Sequence, residues 1–228
     1  MKRIFSLLSA IAFALALAAP SAALSTKDGA ILSGGTERRR IALTFDDGPH
    51  PSKTDAILDL LAEYDIHATF FLIGVNAAFY PDIVRREYAE GPEIGNHTFH
   101  HRTAGKCERA YVEEELAETE DLILELTGHV PTLFRPPEGF CSEYLMTAAK
   151  KMNCRIVLWN VDPRDWAKTS TEEIVRNVKA NVKNGSIVLF HDYTGKGAHT
   201  LDALKILLPW LIGEGYEIVT VSELLSES

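Results

Sequence analysis

Cysteine is scarce. The 228 residues contain only Cys107, Cys141 and Cys154, and their spacing matches neither a zinc finger nor a Cys-x-x-Cys pair. A cysteine-held structural zinc and a dithiol redox site are therefore excluded. Positive charge is also in deficit: 23 Lys and Arg stand against 32 Asp and Glu, a net charge of -9. That balance argues against a nucleic-acid partner held through phosphate contacts. The only basic run, Arg38-Arg39-Arg40, precedes the first expected strand and reads as a solvated strand entry. No internal repeat or low-complexity segment is present, and the one long apolar run lies at the N-terminus.

That N-terminus reads Met1-Lys2-Arg3, then an apolar stretch over 4–19, then Pro20-Ser21-Ala22-Ala23. Charged, apolar and small residues in that order mark a secretory signal peptide. A membrane anchor is the competing interpretation, but the apolar core is short for a bilayer and is closed by Pro20 and small residues rather than by basic ones. No cysteine stands between Ala18 and Ala23, so nothing points to a lipidated mature N-terminus. The expectation is a signal peptide over 1–23 and secreted or periplasmic localisation without stable membrane insertion. Roughly 205 residues then remain, enough for one domain with a sizeable core.

From residue 41 onward short apolar strands alternate with amphipathic helical stretches, the pattern of a parallel sheet with helices outside. Strands are expected over 41–45, 68–73, 93–95, 132–135, 156–159, 187–190 and 217–220. Helices are expected over 53–64, 82–89, 111–126, 142–152, 171–183 and 201–212. Residues 24–40 read as a short leader without a core. Such units close as a barrel or stay open as a doubly wound sheet, and in both the chemistry gathers at the C-terminal ends of the strands. Asp46-Asp47, the segment His97 to His101, Arg135 to Gly139, Asp162 to Trp166 and His191-Asp192 all follow strands, so every reactive cluster falls on one rim.

His97 and His101 stand four apart, a spacing that on a helical turn presents two imidazoles to one metal ion. A site of three protein ligands needs a carboxylate as well, and Thr44-Phe45-Asp46-Asp47-Gly48-Pro49 supplies two. Asp-Gly is more commonly a polar turn. Adjacent residues leaving a strand point to different sides, so one Asp can face a metal while its neighbour faces the reacting water.

These two segments, with Arg135-Pro136-Pro137-x-Gly139, Asp162-x-x-Asp165-Trp166 and Leu189-x-His191, occur in the order found in the polysaccharide deacetylases of carbohydrate esterase family 4, the NodB homology domain, which the chain resembles. The resemblance runs from Ile41 to Leu225. It implies an α/β fold, a distorted (β/α) barrel of about seven units in a single domain, with 41–228 as the catalytic domain. It further implies a metal-dependent hydrolase that removes N-acetyl groups from N-acetylglucosamine-type polysaccharide, such as peptidoglycan or chitin-like oligomers. Zinc, or another divalent ion such as cobalt, would be held by Asp47, His97 and His101. Asp46 would be the general base and His191 the general acid. Arg135 would orient Asp46, Asp165 would pair with His191, Trp166 and Leu189 would wall a pocket for the acetyl methyl group, and Pro137 and Glu138 would also line the substrate site.

One residue departs from the family pattern. The position after Pro137 is usually aromatic, commonly Tyr, and here it is Glu138. Where the family uses the backbone N–H of this residue in an oxyanion hole, the donor survives the change. A stacking surface for sugar does not, and a carboxylate at the cleft mouth favours a cationic or differently substituted sugar. Amide and ester substrates are not separated by these residues, so an O-acetyl esterase acting on xylan-like polymers keeps the same chemistry. A carbohydrate-binding pseudoenzyme would keep the fold and the ligands without turnover. A glycoside hydrolase built on two carboxylates would leave the histidines without a role.

His50, His67 and His129 read as ordinary, His100 lies between the metal-facing positions, and His199 opens a helix near the rim. Cys107 and Cys141 follow strands on the rim of neighbouring units, whereas Cys154 lies a helix length, roughly 15 Å, from Cys141. Because a bridge needs Cα atoms within about 7 Å, a Cys107–Cys141 disulfide is expected, with Cys154 buried and reduced.

Overall fold

The computed structural model describes residues 25–27, 29–103, 109–193 and 199–226. The expected signal peptide and Cys107, hence the expected disulfide, lie outside them.

Strand β3 (Arg40–Asp46) is the axis of the fold. It pairs in parallel with β8 (Ile187–His191) on one side and, on the other, with β9 (Glu217–Ile218) near its start and β4 (Thr69–Leu72) near its end. The sheet continues from β4 through β5 (Glu93–Asn96) and β6 (Leu133–Phe134) to β7 (Arg155–Ile156). Parallel strands covered on both faces read as continuous apolar runs, and β3 and β4 are buried at nearly every position. The rings of Phe70, Phe45 and Phe190 stack across β4, β3 and β8 with centroids 4.9 and 5.8 Å apart. Each such buried ring contributes about 1.5–3 kcal/mol. The sheet curls, and an isolated parallel bridge from Val161 to Val188 brings its far end round toward β8. The result is a single-domain, incomplete barrel of the expected class.

The helices α1 (Lys53–Ala62), α3 (Pro81–Ala89), α4 (Arg109–Thr127), α5 (Glu143–Lys151), α6 (Thr171–Asn181) and α7 (Thr200–Gly213) pack outside the sheet near the expected positions. Their starts follow local chemistry. Ser142 and Ser170 cap α5 and α6 by accepting from the N–H groups of Leu145 and Glu173, each at 3.3 Å. Pro81 opens α3 at a position whose N–H has no helical acceptor.

Two short helices were not expected: α2 (Gly74–Phe79) at the end of β4, and α8 (Val221–Ser226) after β9. The segment read as a leader without a core also differs. Residues 25–27 (β1) and 30–33 (β2) form an antiparallel hairpin turned at Gly29, where φ is +83°. Ala30 and Ile31 are buried, and the Ile31 carbonyl accepts from the N–H of Leu158 at 2.7 Å. Charge in 36–40 obscured the two buried residues before it. Among the described residues no helix is long and apolar enough to cross a membrane.

Candidate active site

The strand register sets the geometry. Asp46 at the end of β3 stands opposite His191 at the end of β8, so a carboxylate and an imidazole leave the sheet side by side. Asn96, the last residue of β5, pairs with Phe134 of β6, which puts His97 beside Arg135.

Asp46 remains in the strand, but Asp47 turns out of it with φ 76°. A non-glycine residue in the left-handed region carries strain that surrounding structure must hold, and Asn76 of α2 holds it by donating to the Asp47 carbonyl at 2.8 Å. Among the described residues the buried Oδ1 of Asp47 has no hydrogen-bond partner. It lies 3.4 Å from Nε2 of His97 and 3.2 Å from Nε2 of His101. A tetrahedral ion with bonds near 2.0–2.1 Å sets its ligands roughly 3.3–3.4 Å apart, the spacing at which Asp47 Oδ1 stands from each imidazole. The same three residues form the candidate metal cluster found among the described residues, with ligand atoms within 4.8 Å of one another.

The histidine spacing works differently from the helical turn expected. Residues 97–101 are an irregular loop in which Thr98 and His101 adopt φ 68° and 55°. Asn96 braces it, accepting from the Thr98 N–H and donating to the Leu116 carbonyl, both at 2.8 Å. Nδ1 of His97 lies 2.7 Å from the Arg135 carbonyl; a proton there donates to the carbonyl and frees Nε2 as a ligand. His100 turns away, with its backbone N–H and Nδ1 on the two oxygens of Glu115.

The three groups shift one another's proton affinities. Burial lowers the His97 imidazole, yet the charges of Asp46 and Asp47 outweigh it and hold the group above its ordinary value. Burial, then the charge of His97, keeps His101 below its own. Burial raises the Asp47 carboxyl, but the facing imidazoles pull it below the ordinary range.

Behind the trio, the fully buried Arg135 donates to Asp46 Oδ1 at 2.7 Å and Thr44 Oγ1 at 2.8 Å, and to the carbonyls of Val157 and Leu158. Opposite, Asp165 holds His191 through Nδ1 and the backbone N–H, each at 2.9 Å, and accepts from Thr200 at 2.8 Å. Burial lowers the His191 imidazole, but Asp165 more than compensates and pushes it up to about 9.

These groups open into a cleft of about 480 Å³ lined by Asp46, Asp47, His97, His101 and His191, with Glu138, Trp159, Asp162, Trp166 and Leu189. Trp166 is half exposed, as a wall and not as core. Pro137 does not line the cleft: it is buried at the start of a 3-10 turn, Pro137–Gly139, because the turn lifts Glu138 into its place. The contacts of Thr44 and Thr200 and the cleft-facing Trp159 were not foreseen. Thr44 alone had a local signal, lying two residues before Asp46 and so on the same strand face.

A carboxylate and two imidazoles around a cation-sized gap, flanked by a second carboxylate and a protonated imidazole, form a centre suited to metal-assisted hydrolysis. Residues 33–157 match the family described as polysaccharide deacetylase. The chain is 43% identical over 187 residues to the peptidoglycan-N-acetylglucosamine deacetylase of Bacillus cereus, covering 81% of this chain and 87% of that one. It is 36% identical over 198 residues to the chitooligosaccharide deacetylase of a Bradyrhizobium species, covering 82% and 90%. Several other relatives are longer, and the chain spans less than half of their length. In three dimensions it is similar to the crystal structure of a peptidoglycan N-acetylglucosamine deacetylase bound to 4-naphthalen-1-yl-N-oxidanyl-benzamide. The TM-score is 0.82 at 36% identity, over 86% of this chain and 92% of that one. The chain belongs to the polysaccharide deacetylase family.

Proposed function

We propose that this chain is an exported, metal-dependent hydrolase that removes N-acetyl groups from N-acetylglucosamine units of peptidoglycan or of chitin-like oligomers. The observation that carries the reading is the buried, unpartnered Asp47 Oδ1 between the Nε2 atoms of His97 and His101, with Asp46 and His191 alongside. Asp47, His97 and His101 would hold zinc or a similar ion such as cobalt. Such an ion, when bound, supplies Lewis acidity that activates water and polarises an acetamide carbonyl.

The remaining steps belong to the chain's own groups. Asp46 keeps Oδ2 free while Arg135 occupies Oδ1, and it takes the proton of the attacking water. His191, protonated through Asp165, gives its proton to the sugar nitrogen as the C–N bond breaks, releasing acetate and a free amine. The backbone N–H of Glu138 would complete an oxyanion hole, with Trp166 and Leu189 around the acetyl methyl group. Export is supported by the N-terminal signal pattern, and cleavage after Ala23 would leave the β1–β2 hairpin whole.

Mass spectrometry of an N-acetylglucosamine tetramer and of peptidoglycan fragments, after incubation with zinc-loaded mature protein, tests the reading. Loss of acetyl groups with unbroken glycan chains is the expected result. Chain shortening would place the protein among glycosidases, and unchanged glycans would leave only a binding role.

A further inference from the structure

Glu138 occupies the middle of the Pro137–Gly139 turn with φ 57° and ψ 12°. Its neighbour Gly139 lies against the Trp159 ring so closely that a Cβ there would sit 2.9 Å from the indole. The turn is thus pinned to a cleft wall, and the exposed Glu138 lines the cleft together with His101. Among the described residues its carboxylate makes no hydrogen bond or ion pair, and it is exposed. Besides Glu138, the described residues lining the cleft include three carboxylates, Asp46, Asp47 and Asp162, and no Lys or Arg. Of the guanidinium groups nearby, Arg135 is buried on Asp46, and Arg164 lies over the ring of Trp166, a wall of the cleft, at 5.4 Å.

We propose that Glu138 is a specificity-determining residue that favours glycans carrying a free glucosamine ammonium beside the N-acetylglucosamine under attack. The inference rests on the deacetylase reading and deepens it. An ammonium on the adjoining sugar, the group the reaction itself creates, meets an unpaired carboxylate there, with no Lys or Arg in the lining to compete for it. A lactyl carboxylate on the adjoining sugar meets the same charge as repulsion. The enzyme therefore works best on partly deacetylated stretches and on chitin-like chains before muramic-acid-bearing ones. A partly exposed pair of this kind is worth a roughly two- to fivefold preference in kcat/KM, and salt screens it.

The test is the ratio of kcat/KM for a tetramer bearing one free amine next to the acetylated unit over that for the fully acetylated tetramer. It is measured for the natural chain, Glu138→Gln and Glu138→Lys, at low salt and at about 1 M salt, where charges are screened beyond roughly 3 Å. The expected ratio is about two to five for the natural chain at low salt, near one for Glu138→Gln, below one for Glu138→Lys, and near one for all at high salt. A ratio of one in the natural chain, or one unchanged by either substitution, overturns the assignment of Glu138. Acetate release from the fully acetylated tetramer reads the underlying activity separately: its absence removes the deacetylase reading, whereas release with equal ratios removes only the role of Glu138.

Discussion

Arg135 Nη1 lies 2.7 Å from Asp46 Oδ1, and both side chains are shut away from solvent. Asp46 Oδ2 is left facing His97 Nε2 at 3.8 Å. Burial lowers the Arg135 guanidinium from its ordinary value, and the carboxylate opposes the shift. Because four oxygens of the chain share this one guanidinium, the pair orients the carboxylate and ties β3 to the strands beyond.

Replacing Arg135 by Met leaves Asp46 buried without its countercharge, a loss of about 3–5 kcal/mol. Chemical denaturation measures this directly. Arg135→Lys retains the charge but has three donors on one atom, so it restores part of the stability while activity stays well below that of the natural chain. Equal stability of all three proteins would mean that the pair has no structural role.

The His191 imidazole, pushed up to about 9 by Asp165, must carry its proton to act as the acid. A raised imidazole is charged below its folded pKa and neutral above it, so kcat/KM should fall as pH rises through that value. A cation bound nearby draws the midpoint lower. Asp165→Asn removes the main cause of the elevation and should move the alkaline limb toward the ordinary 6.5. An unmoved limb would assign it to another group.

Glu87 on α3 is fully buried, and among the described residues neither carboxylate oxygen has a hydrogen-bond partner. Burial, with the charges of Asp192 and Asp55, holds its carboxyl well above the ordinary 4.5. A carboxyl raised in the folded state costs stability above its unfolded pKa and nothing below it. Glu87→Leu should therefore stabilise the fold by about 1–3 kcal/mol at pH 7, with the gain shrinking as pH falls toward 4.5. Melting temperatures across that range check the sign. A gain independent of pH would point to packing alone.

What could be read before the fold was known followed from local periodicity. The run Ile41 to Phe45 could only be a buried strand, and the clusters after successive strands had to share a rim because parallel strands end on the same side. Helix α2 was hidden because Gly74 and its short length give no amphipathic period. The His97–His101 loop looked helical because four-residue spacing is ambiguous, and only the left-handed Thr98 and His101 show that a loop delivers both rings. The partnership of Asp165 with Thr200 spans 35 residues, and that of Arg135 with Thr44 spans 91. Contacts so distant leave no local pattern.

The most direct test couples metal content to acetate release. Protein stripped by chelator is given zinc or cobalt, and bound metal and acetate from an N-acetylglucosamine tetramer are measured for the natural chain, Asp46→Asn and His101→Ala. The account predicts that the natural chain regains both and that Asp46→Asn binds the ion while losing about a hundredfold or more in rate. His101→Ala should lose much of its affinity for the ion. Full release from the stripped protein, or undiminished release from metal-loaded Asp46→Asn, would contradict it.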